Sequence, residues 1–417
     1  MIAASLPANG PMPGLQLSLS TQFLNAAFAP PIDKSSSVDV IIDKYHIHAD
    51  GKTTGAMSFQ PLPSDDRWHL RMTMSGELAG CASAQVRKPI VYTFNRAPVR
   101  VEQEVFVSPV GIRASEPAIW APTRSTFQSA DTGRPPLRHA LINGAARLQF
   151  RVVPERGDRI ATQVSEIALR TELDRDIARA NRTFQERVLG ALRELDVPVS
   201  NLRLSSTAHN VQLNLAVPDT RPPAAPAAEP ADLKVRIHQD VLNRLMRQIY
   251  GGAKRNGMDL ETEAAQVLSL LGSPRTGEPV KQPWSITFNK QAPIVFRLEN
   301  NTVRIQMAGD GFTFFGLDYP AMTATILYDL KHDEAAWRAI RRTVEIKPPN
   351  HPDGGKLTSR QEIIKNLLYL KAVQIMPREI VFANLGLITA LAPQARGKVS
   401  RIVIRDGWLV LEWKHMQ

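Results

Sequence analysis

The sequence predicts an α+β protein of two duplicated modules, each with a curved antiparallel sheet wrapped on long helices. Three observations predict this fold. Three segments of the first half recur in the same order in the second half, a proline-rich stretch separates the halves, and long helical patterns precede the last hairpin of each half. We therefore divide the chain into an extension at 1–14, repeat modules at 15–217 and 233–417, and a linker at 218–232.

The composition is that of a globular protein. Apolar residues make up 43% of the 417 residues and charged residues 22%. The single cysteine, Cys81, excludes an intrachain disulfide and a cysteine-based zinc site, and its small neighbours predict a buried structural thiol. No stretch approaches the roughly 18 apolar residues of a membrane-spanning helix.

The charge points to anionic partners or to a solubilising surface. The net charge is +11, and most of it falls in residues 233–417. The densest basic cluster is Arg338, Arg341 and Arg342, whose spacing fits one face of a helix. The alternation of the residues that follow fits a strand instead, so both structures remain open at this point.

Each module opens with a short strand that runs directly into a helix. Leu15–Asn25 aligns with Leu233–Asn243, and alternating apolar residues in both predict the strand. The helix of the second module has one apolar face, formed by Val241, Leu242, Leu245, Met246 and Ile249.

Antiparallel strands follow in each module. Leu70–Glu77 aligns with Val303–Asp310, and in both a glycine followed by an acid predicts the turn that ends the strand. Alternation predicts further strands at 90–94, 99–107, 284–288, 294–298 and 322–327.

A long helix and a hairpin end each module. Apolar residues at helical spacing predict a helix from Ile160 to Leu195 that is stopped by Pro198. In the second module, Ser359–Glu362 reads as a capping box before a helix that ends at Pro377.

The terminal hairpins lie at 202–215 and 402–411, and Asp406-Gly407 is a two-residue turn signal in the second. Between the modules, the repeated prolines of 218–232 favour an extended, semi-rigid linker.

The opening at Leu233–Asn243, a short strand followed by an apolar helix that carries Leu-Asn, resembles that of tubular lipid-binding, or bactericidal-permeability-increasing-protein-like, domains. That family also occurs as two copies end to end, each with an apolar tube that takes lipid chains. The resemblance implies a lipid or another apolar ligand held between helix and sheet. The candidate ligand contacts are Val241, Leu245, Met246, Ile249, Phe312 and Phe314, with packing in a solid core as the alternative for each.

A second resemblance concerns most of the chain. The run Ile286-Thr-Phe, Pro320-Ala-Met-Thr-Ala, Leu357-Thr-Ser-Arg-Gln and Asp406–Trp413 resembles an uncharacterised family of predicted exported bacterial proteins, typical of planctomycetes. No activity comes with that family, but it favours a cell-envelope location. The first residues do not form a signal peptide as they stand, so a periplasmic or exported location implies a leader absent from this numbering.

One group of residues has metal-ligand spacing. His46, His48 and Asp50 alternate and would share one face of a strand, as in barrel hydrolases that use a His-x-His strand. The alternative is a polar row that faces solvent. The sequence contains no nucleophile elbow, Walker loop, dinucleotide fingerprint or zincin helix, so we expect neither an enzyme nor a cofactor.

Three functions remain open. The first is a non-enzymatic two-module envelope protein that binds lipid or another apolar ligand, with an anionic membrane surface as a further partner of the basic second module. The second is a structural or protein-interaction module of the envelope with packed cores. The third is a metal-dependent hydrolase that uses His46, His48 and Asp50. Nucleic acid is not an expected partner.

Overall fold

A computed structural model of the chain describes residues 12–85, 89–131, 136–152, 154–194, 196–218, 220, 222–227, 229–271, 283–334, 336–351, 355–382 and 396–415. The predicted extension at 1–14 lies mostly outside these residues. No helix among them is both long enough and apolar enough to cross a membrane.

The strands, in chain order, are β1 (Leu15–Ser20), β2 (Ile32–Ile42), β3 (Tyr45–Leu62), β4 (Trp68–Gln85), β5 (Ile90–Ser108), β6 (Gly111–Ala114), β7 (Ala118–Trp120), β8 (Arg124–Asp131), β9 (Leu202–Ser206), β10 (Asn210–Leu215), β11 (Leu233–His238), β12 (Lys254–Asn256), β13 (Trp284–Phe288), β14 (Ile294–Glu299), β15 (Thr302–Phe314), β16 (Leu317–Tyr319), β17 (Met322–His332), β18 (Trp337–Lys347), β19 (Glu379–Phe382), β20 (Gly397–Arg405) and β21 (Trp408–His415). The helices are α1 (Thr21–Phe28), α2 (Pro136–Val152), α3 (Pro154–Phe184), α4 (Gly190–Glu194), α5 (Gln239–Tyr250), α6 (Gly257–Leu270) and α7 (Ser359–Ile375).

The chain divides into two compact units. Unit 1 comprises Met1–Phe23, Leu192–Arg203 and Gln212–Gln417, and unit 2 comprises Leu24–Ala191 and Leu204–Val211. The predicted α+β class with large antiparallel sheets is confirmed. The module boundaries at 15–217 and 233–417 stay a prediction.

Unit 2 is a seven-stranded antiparallel sheet with long helices. Strands β2 to β6 follow one another in order, and β7 and β8 also pair with β5. The alternation of β5 buries Val99, Val101, Gln103 and Val105 and leaves the residues adjacent to each of them more exposed. Helix α3 contacts β2, β6 and β8, and it buries Leu169 and Leu173. The sheet therefore has one buried face and one exposed polar face.

The glycines predicted to end strands do not end them. Strand β4 continues through Gly76 to Gln85, because Gly76 lies directly opposite Gly55. A Cβ on Gly76 would collide with the carbonyl oxygen of Thr54, so glycine is needed for the close approach of the two strands. In β15 the strand likewise continues through Gly309, with a register shift opposite Thr287 and Phe288.

Unit 1 contains strands β1, β11, β20 and β21 of a six-stranded sheet built from the predicted repeats. The order is β20-β21-β11-β1-β10-β9. The two opening strands pair antiparallel at its centre, with Leu15 opposite Ile237 and Leu19 opposite Leu233. Each opening strand has the terminal hairpin of its own repeat on its outer side, so the order is the same when the repeats are exchanged.

The second sheet of unit 1 has eight strands, with β12-β13-β15-β17-β18-β19 in order and β14 and β16 paired with β15. Helices α6 and α7 cover it. Its core contains Trp284, Phe288, Phe314 and Ile364, all buried. Helices and sheet thus enclose a core filled by aromatic and aliphatic side chains.

The helix predictions hold with shifted ends. The pattern predicted from Ile160 to Leu195 corresponds to α3, a π-helical turn at Gln185–Leu189, and α4. The capping box lies one residue earlier than predicted. Thr358 accepts a hydrogen bond from the N–H of Gln361, whose side chain accepts from the Thr358 N–H. A Thr–Gln pair makes both reciprocal bonds, so Ser359 is the first helical residue.

The described part of the predicted linker lies against the six-stranded sheet. Pro222 is buried, and the indole N–H of Trp408 donates to the carbonyl oxygen of Pro223 at 3.1 Å. The N–H of Glu229 donates to the buried carboxylate of Glu412 at 2.8 Å. These two bonds tie the described linker residues to β21.

Candidate functional site

A cleft opens between helix and sheet in unit 2, which we call the α3 cleft. One helix face and one sheet face line it, with Ala168, Leu169, Glu172, Leu173 and Asp176 on α3, Ile32, Lys34 and Ser36 on β2, Thr53 and Met57 on β3, and Met74 on β4. The helical spacing of the α3 residues places them on one side of the helix. The cleft is therefore apolar inside and charged at one edge.

An ion pair spans the edge of the cleft. Lys34 Nζ contacts Asp176 Oδ2 directly and lies 3.6 Å from Glu172 Oε1. All three side chains are partly exposed, so solvent screens this attraction. The contact holds α3 to β2 without sealing the cleft permanently.

The interior of the cleft is adaptable but small. Met57 and Met74 contribute flexible thioether side chains that can change rotamer at low energy. The cavity volume is about 40 Å³, which accommodates a few water molecules rather than an acyl chain. A larger ligand would enter only if α3 moved away from β2 and the methionines rearranged.

The candidate contacts on α5 form a helical face that is buried unevenly. Val241 is buried, Leu245 and Met246 are half-buried, and Ile249 is 41% exposed. The candidate residues therefore lie on one helix, α5, and their burial decreases from Val241 near its start to Ile249 near its end.

Phe312 and Phe314 lie in the core of the eight-stranded sheet. Phe314 is 1% exposed and stacks on Trp284 with 5.7 Å between ring centroids. Phe312 belongs to the same core cluster. Both rings are therefore buried in one cluster of apolar side chains.

A larger cavity lies on the polar face of that sheet, with a volume of about 490 Å³. Arg304, Gln306, Thr325, Thr343 and Glu345 are among its lining residues. Apolar chains would not be favoured there, because these side chains present hydrogen-bonding groups to the cavity.

The residues of β3 that have metal-ligand spacing share the exposed face of the strand. His46, His48 and Asp50 are all exposed. His48 is flanked by two carboxylates, with Nδ1 2.9 Å from Asp39 and Nε2 3.2 Å from Asp50. The hydrogen bond to Asp39 and the negative charges raise the pKa of His48. Nowhere in the described ranges do three His, Cys, Asp or Glu side chains form a group able to hold a metal ion.

The predicted basic cluster is on a strand, and its members have separate partners. Arg338 contacts Asp333 and Glu379, and Arg342 Nη1 lies 3.8 Å from Asp329. The prediction of a buried Cys81 is wrong. It lies on the exposed face of β4, opposite Phe94, because residue 81 falls on the outward side of the alternation.

Sequence reasoning missed the α3 cleft. The helix was predicted, but β2 was not, since Ser35, Ser36 and Ser37 interrupt its apolar alternation. The sequence did contain two acids, Glu172 and Asp176, at a spacing of four residues that places them on the same side of a helix. They became informative only once Lys34 was placed opposite them.

No family model matches the chain, and no curated protein matches it either. Among solved structures, a crystal structure of lipopolysaccharide binding protein aligns with 97% of this chain and 100% of its own, at 10% sequence identity and a TM-score of 0.27. The resemblance to exported planctomycete proteins finds no matching family model.

Proposed function

We propose that the chain is a non-enzymatic binding protein that takes one apolar ligand of the lipid class in the α3 cleft. The observation that carries the proposal is the apolar gap between α3 and the sheet, lined by adaptable methionines and closed at its edge by an ion pair. Ligand sites combine an apolar wall with a few charged groups that orient the ligand.

The edge of the cleft supports a particular order of events. Rotation of Lys34 away from Asp176 and Glu172 opens the gap between β2 and α3. The freed ammonium then pairs with an anionic head group while the acyl chain displaces Met57 and Met74. A fatty acid or an acidic lipid fits this arrangement better than a neutral one.

The test uses the full-length protein and a fluorescent fatty acid, 11-dansylaminoundecanoic acid. We expect saturable binding at one site per chain and a probe emission shifted to the blue. Met57→Phe fills the gap and should lower affinity at least tenfold. Absence of saturable binding, together with a mass without lipid in native mass spectrometry, would overturn the proposal.

A matched pair of lysine variants isolates the edge of the cleft. Lys34→Ala should speed release of the probe and weaken the binding of its carboxylate. Lys52→Ala removes another partly exposed ion pair of the same sheet, in which Nζ lies 2.6 Å from Asp33 on the opposite face. This control should leave probe binding unchanged.

The second candidate is a structural or interaction protein of the envelope with solid cores. The packing around Trp284, Phe312 and Phe314 favours it for unit 1. The probe titration distinguishes the two functions. A scaffold with solid cores binds no probe, and Met57→Phe then changes only the stability of the protein.

A further inference from the structure

The turn between β15 and β16 has a bulky aromatic residue in a backbone conformation that disfavours it. Phe315 has φ +50° and Gly316 φ +78°, and Phe314 lies opposite Leu317. This is a two-residue hairpin turn with positive φ at both positions. A non-glycine residue there is uncommon, and for a bulky side chain it is an outlier.

The same chain builds comparable turns with the expected residues. Asp43, Asn300 and Asp406 occupy the first position of two-residue turns whose second residues also have positive φ. Asn and Asp tolerate this conformation because their short side chains bond to the local backbone. Phe315 departs from this pattern, although an Asn-Gly turn at the same place would be more stable.

Within the described structure, burial of the Phe315 side chain does not compensate for its unfavourable backbone conformation. Its side chain is 61% exposed, and Leu317 on the other side of the turn is also 61% exposed. Met258 is 65% exposed on the first turn of α6, where the preceding Gly257 packs on Trp284. Trp284 in turn stacks on Phe314, the residue that directly precedes the turn.

The hairpin that presents Phe315 is held firmly. Phe314 is buried against Trp284, and its ring meets Tyr319 edge-on at 6.2 Å. The hydroxyl of Thr313 bonds to Asp318 across the hairpin at 3.0 Å. A rigid hairpin that displays an aromatic and an aliphatic side chain is suited to insertion into an apolar medium.

We propose that the Phe315–Leu317 turn is an anchor that inserts into the surface of an anionic lipid bilayer. The occupant is a bilayer because the exposed Phe315 and Leu317 belong to a two-residue turn and its flank rather than to a groove that would accept a peptide. The net charge favours an anionic bilayer over a neutral one, since most of the net +11 lies in residues 233–417. In the hairpin itself, the carboxylate of Asp318 accepts a hydrogen bond from Thr313. This inference goes beyond the proposed ligand site, which lies in unit 2.

The test measures partition of the full chain onto vesicles of 3:1 phosphatidylcholine and phosphatidylglycerol by sedimentation. Phe315→Asn should lower the partition coefficient at least tenfold while the melting temperature stays equal or rises, because Asn suits the turn. Substitution of a residue with only a structural role would lower the melting temperature. A lower partition coefficient together with an equal or higher melting temperature therefore identifies an anchor. Leu317→Thr should reduce partition in the same direction.

Val110→Asn is the matched control. Val110 is 71% exposed in the two-residue connection between β5 and β6, so it is an apolar residue at another hairpin. It should partition like the wild type.

Three results would overturn the inference. They are wild-type protein that does not partition, Phe315→Asn that partitions within twofold of wild type, and Val110→Asn that loses as much as Phe315→Asn. If wild-type protein ignores vesicles but Phe315 is protected by a protein partner, the turn is a protein contact instead. Probe binding in the α3 cleft is measured separately, so failure of one proposal leaves the other standing.

Discussion

The side chain of Asn243 bonds to both backbone groups of Phe296. Its Nδ2 donates to the Phe296 carbonyl oxygen at 3.1 Å, and the Phe296 N–H donates to its Oδ1 at 2.6 Å. An amide side chain thereby pairs with a strand as another peptide would, and it fixes α5 on β14.

Unit 2 contains the same arrangement. Asn25 Nδ2 donates to the carbonyl oxygen of Phe59 at 2.9 Å, and the Phe59 N–H donates to Asn25 Oδ1 at 2.7 Å. Asn25 and Asn243 occupy the same position in the aligned opening segments. Two independent sites thus use one residue type for one geometry, which supports duplication.

The strands that pair with the two phenylalanine-bearing strands also correspond in register. Phe59 lies opposite Met72, and Phe296 lies opposite Ile305. Met72 and Ile305 hold the same position in the second pair of aligned segments. Opening helix, paired strand and following strand therefore correspond between the two halves, beyond what sequence alternation alone could establish.

We predict that Asn243→Ala lowers the free energy of unfolding by about 2 kcal/mol, since two partly buried backbone groups lose their partners. Asn25→Ala should cost about the same in unit 2. Urea unfolding followed by circular dichroism measures both. Asn366→Ala, at an exposed position of α7, is the control and should change stability by less than about 0.5 kcal/mol.

A second prediction concerns a buried ion pair between α6 and α7. Lys371 Nζ lies 3.4 Å from Glu261 Oε1, and their side chains are 6% and 2% exposed. Lys371→Met leaves a buried carboxylate without this cation and should destabilise by about 3–5 kcal/mol. The double variant Lys371→Met/Glu261→Leu should recover most of that loss in thermal unfolding. A double variant as unstable as the single one would contradict this.

A third prediction is a loss of stability in acid that depends on His238. Burial holds the pKa of this imidazole below its ordinary value of 6.5, against the opposing effects of Asp240 and the Asp406 backbone. Its Nδ1 accepts the hydrogen bond that caps α5, from the N–H of Asp240 at 3.3 Å. The folded protein thus prefers the neutral ring, which also packs on Trp408.

Because the folded-state pKa is depressed, this contribution is present above pH 6.5 and is lost as the pH falls toward the folded-state value. His238→Asn keeps a capping acceptor without the titration, so it should flatten that part of the curve of unfolding free energy against pH. An unchanged slope between pH 6.5 and 5 would refute the assignment to His238.

A fourth prediction compares two glycines. Gly76→Ala forces β3 and β4 apart, since the added methyl group collides with the Thr54 carbonyl oxygen, and should destabilise by about 1–3 kcal/mol. A Cβ on Gly144 in α2 meets nothing within 4 Å. Gly144→Ala should therefore stabilise by about 0.5–1 kcal/mol. Chemical denaturation of the two variants gives the comparison directly.

Much of the fold could be predicted because its signals are local. Alternation located β13 with the bounds that the structure has, and helical periodicity located α3 and α5. The turn at Asp406-Gly407 followed from the conformational freedom of its two residues. Each of these depends on neighbours within one turn or one strand.

The candidate sites depended on contacts between distant residues. Alternation could not say whether Gly76 ends a strand or narrows the gap between two, because that depends on Gly55 opposite it. Nor could it distinguish Phe314, buried on Trp284, from the adjacent and exposed Phe315. The two residues are equally hydrophobic, but Phe314 is the last residue of β15 and Phe315, with its positive φ, is the first residue of the turn.

The sequence by itself determined the α+β class, the two aligned sets of elements and the basic charge, because propensity, periodicity and composition are carried by the chain alone. Only the tertiary structure decided that Lys34 closes a cleft against Asp176 and that Phe312 is buried in the cluster around Trp284. Burial and ion pairing are properties of groups brought together across the sequence, so no local pattern specifies them.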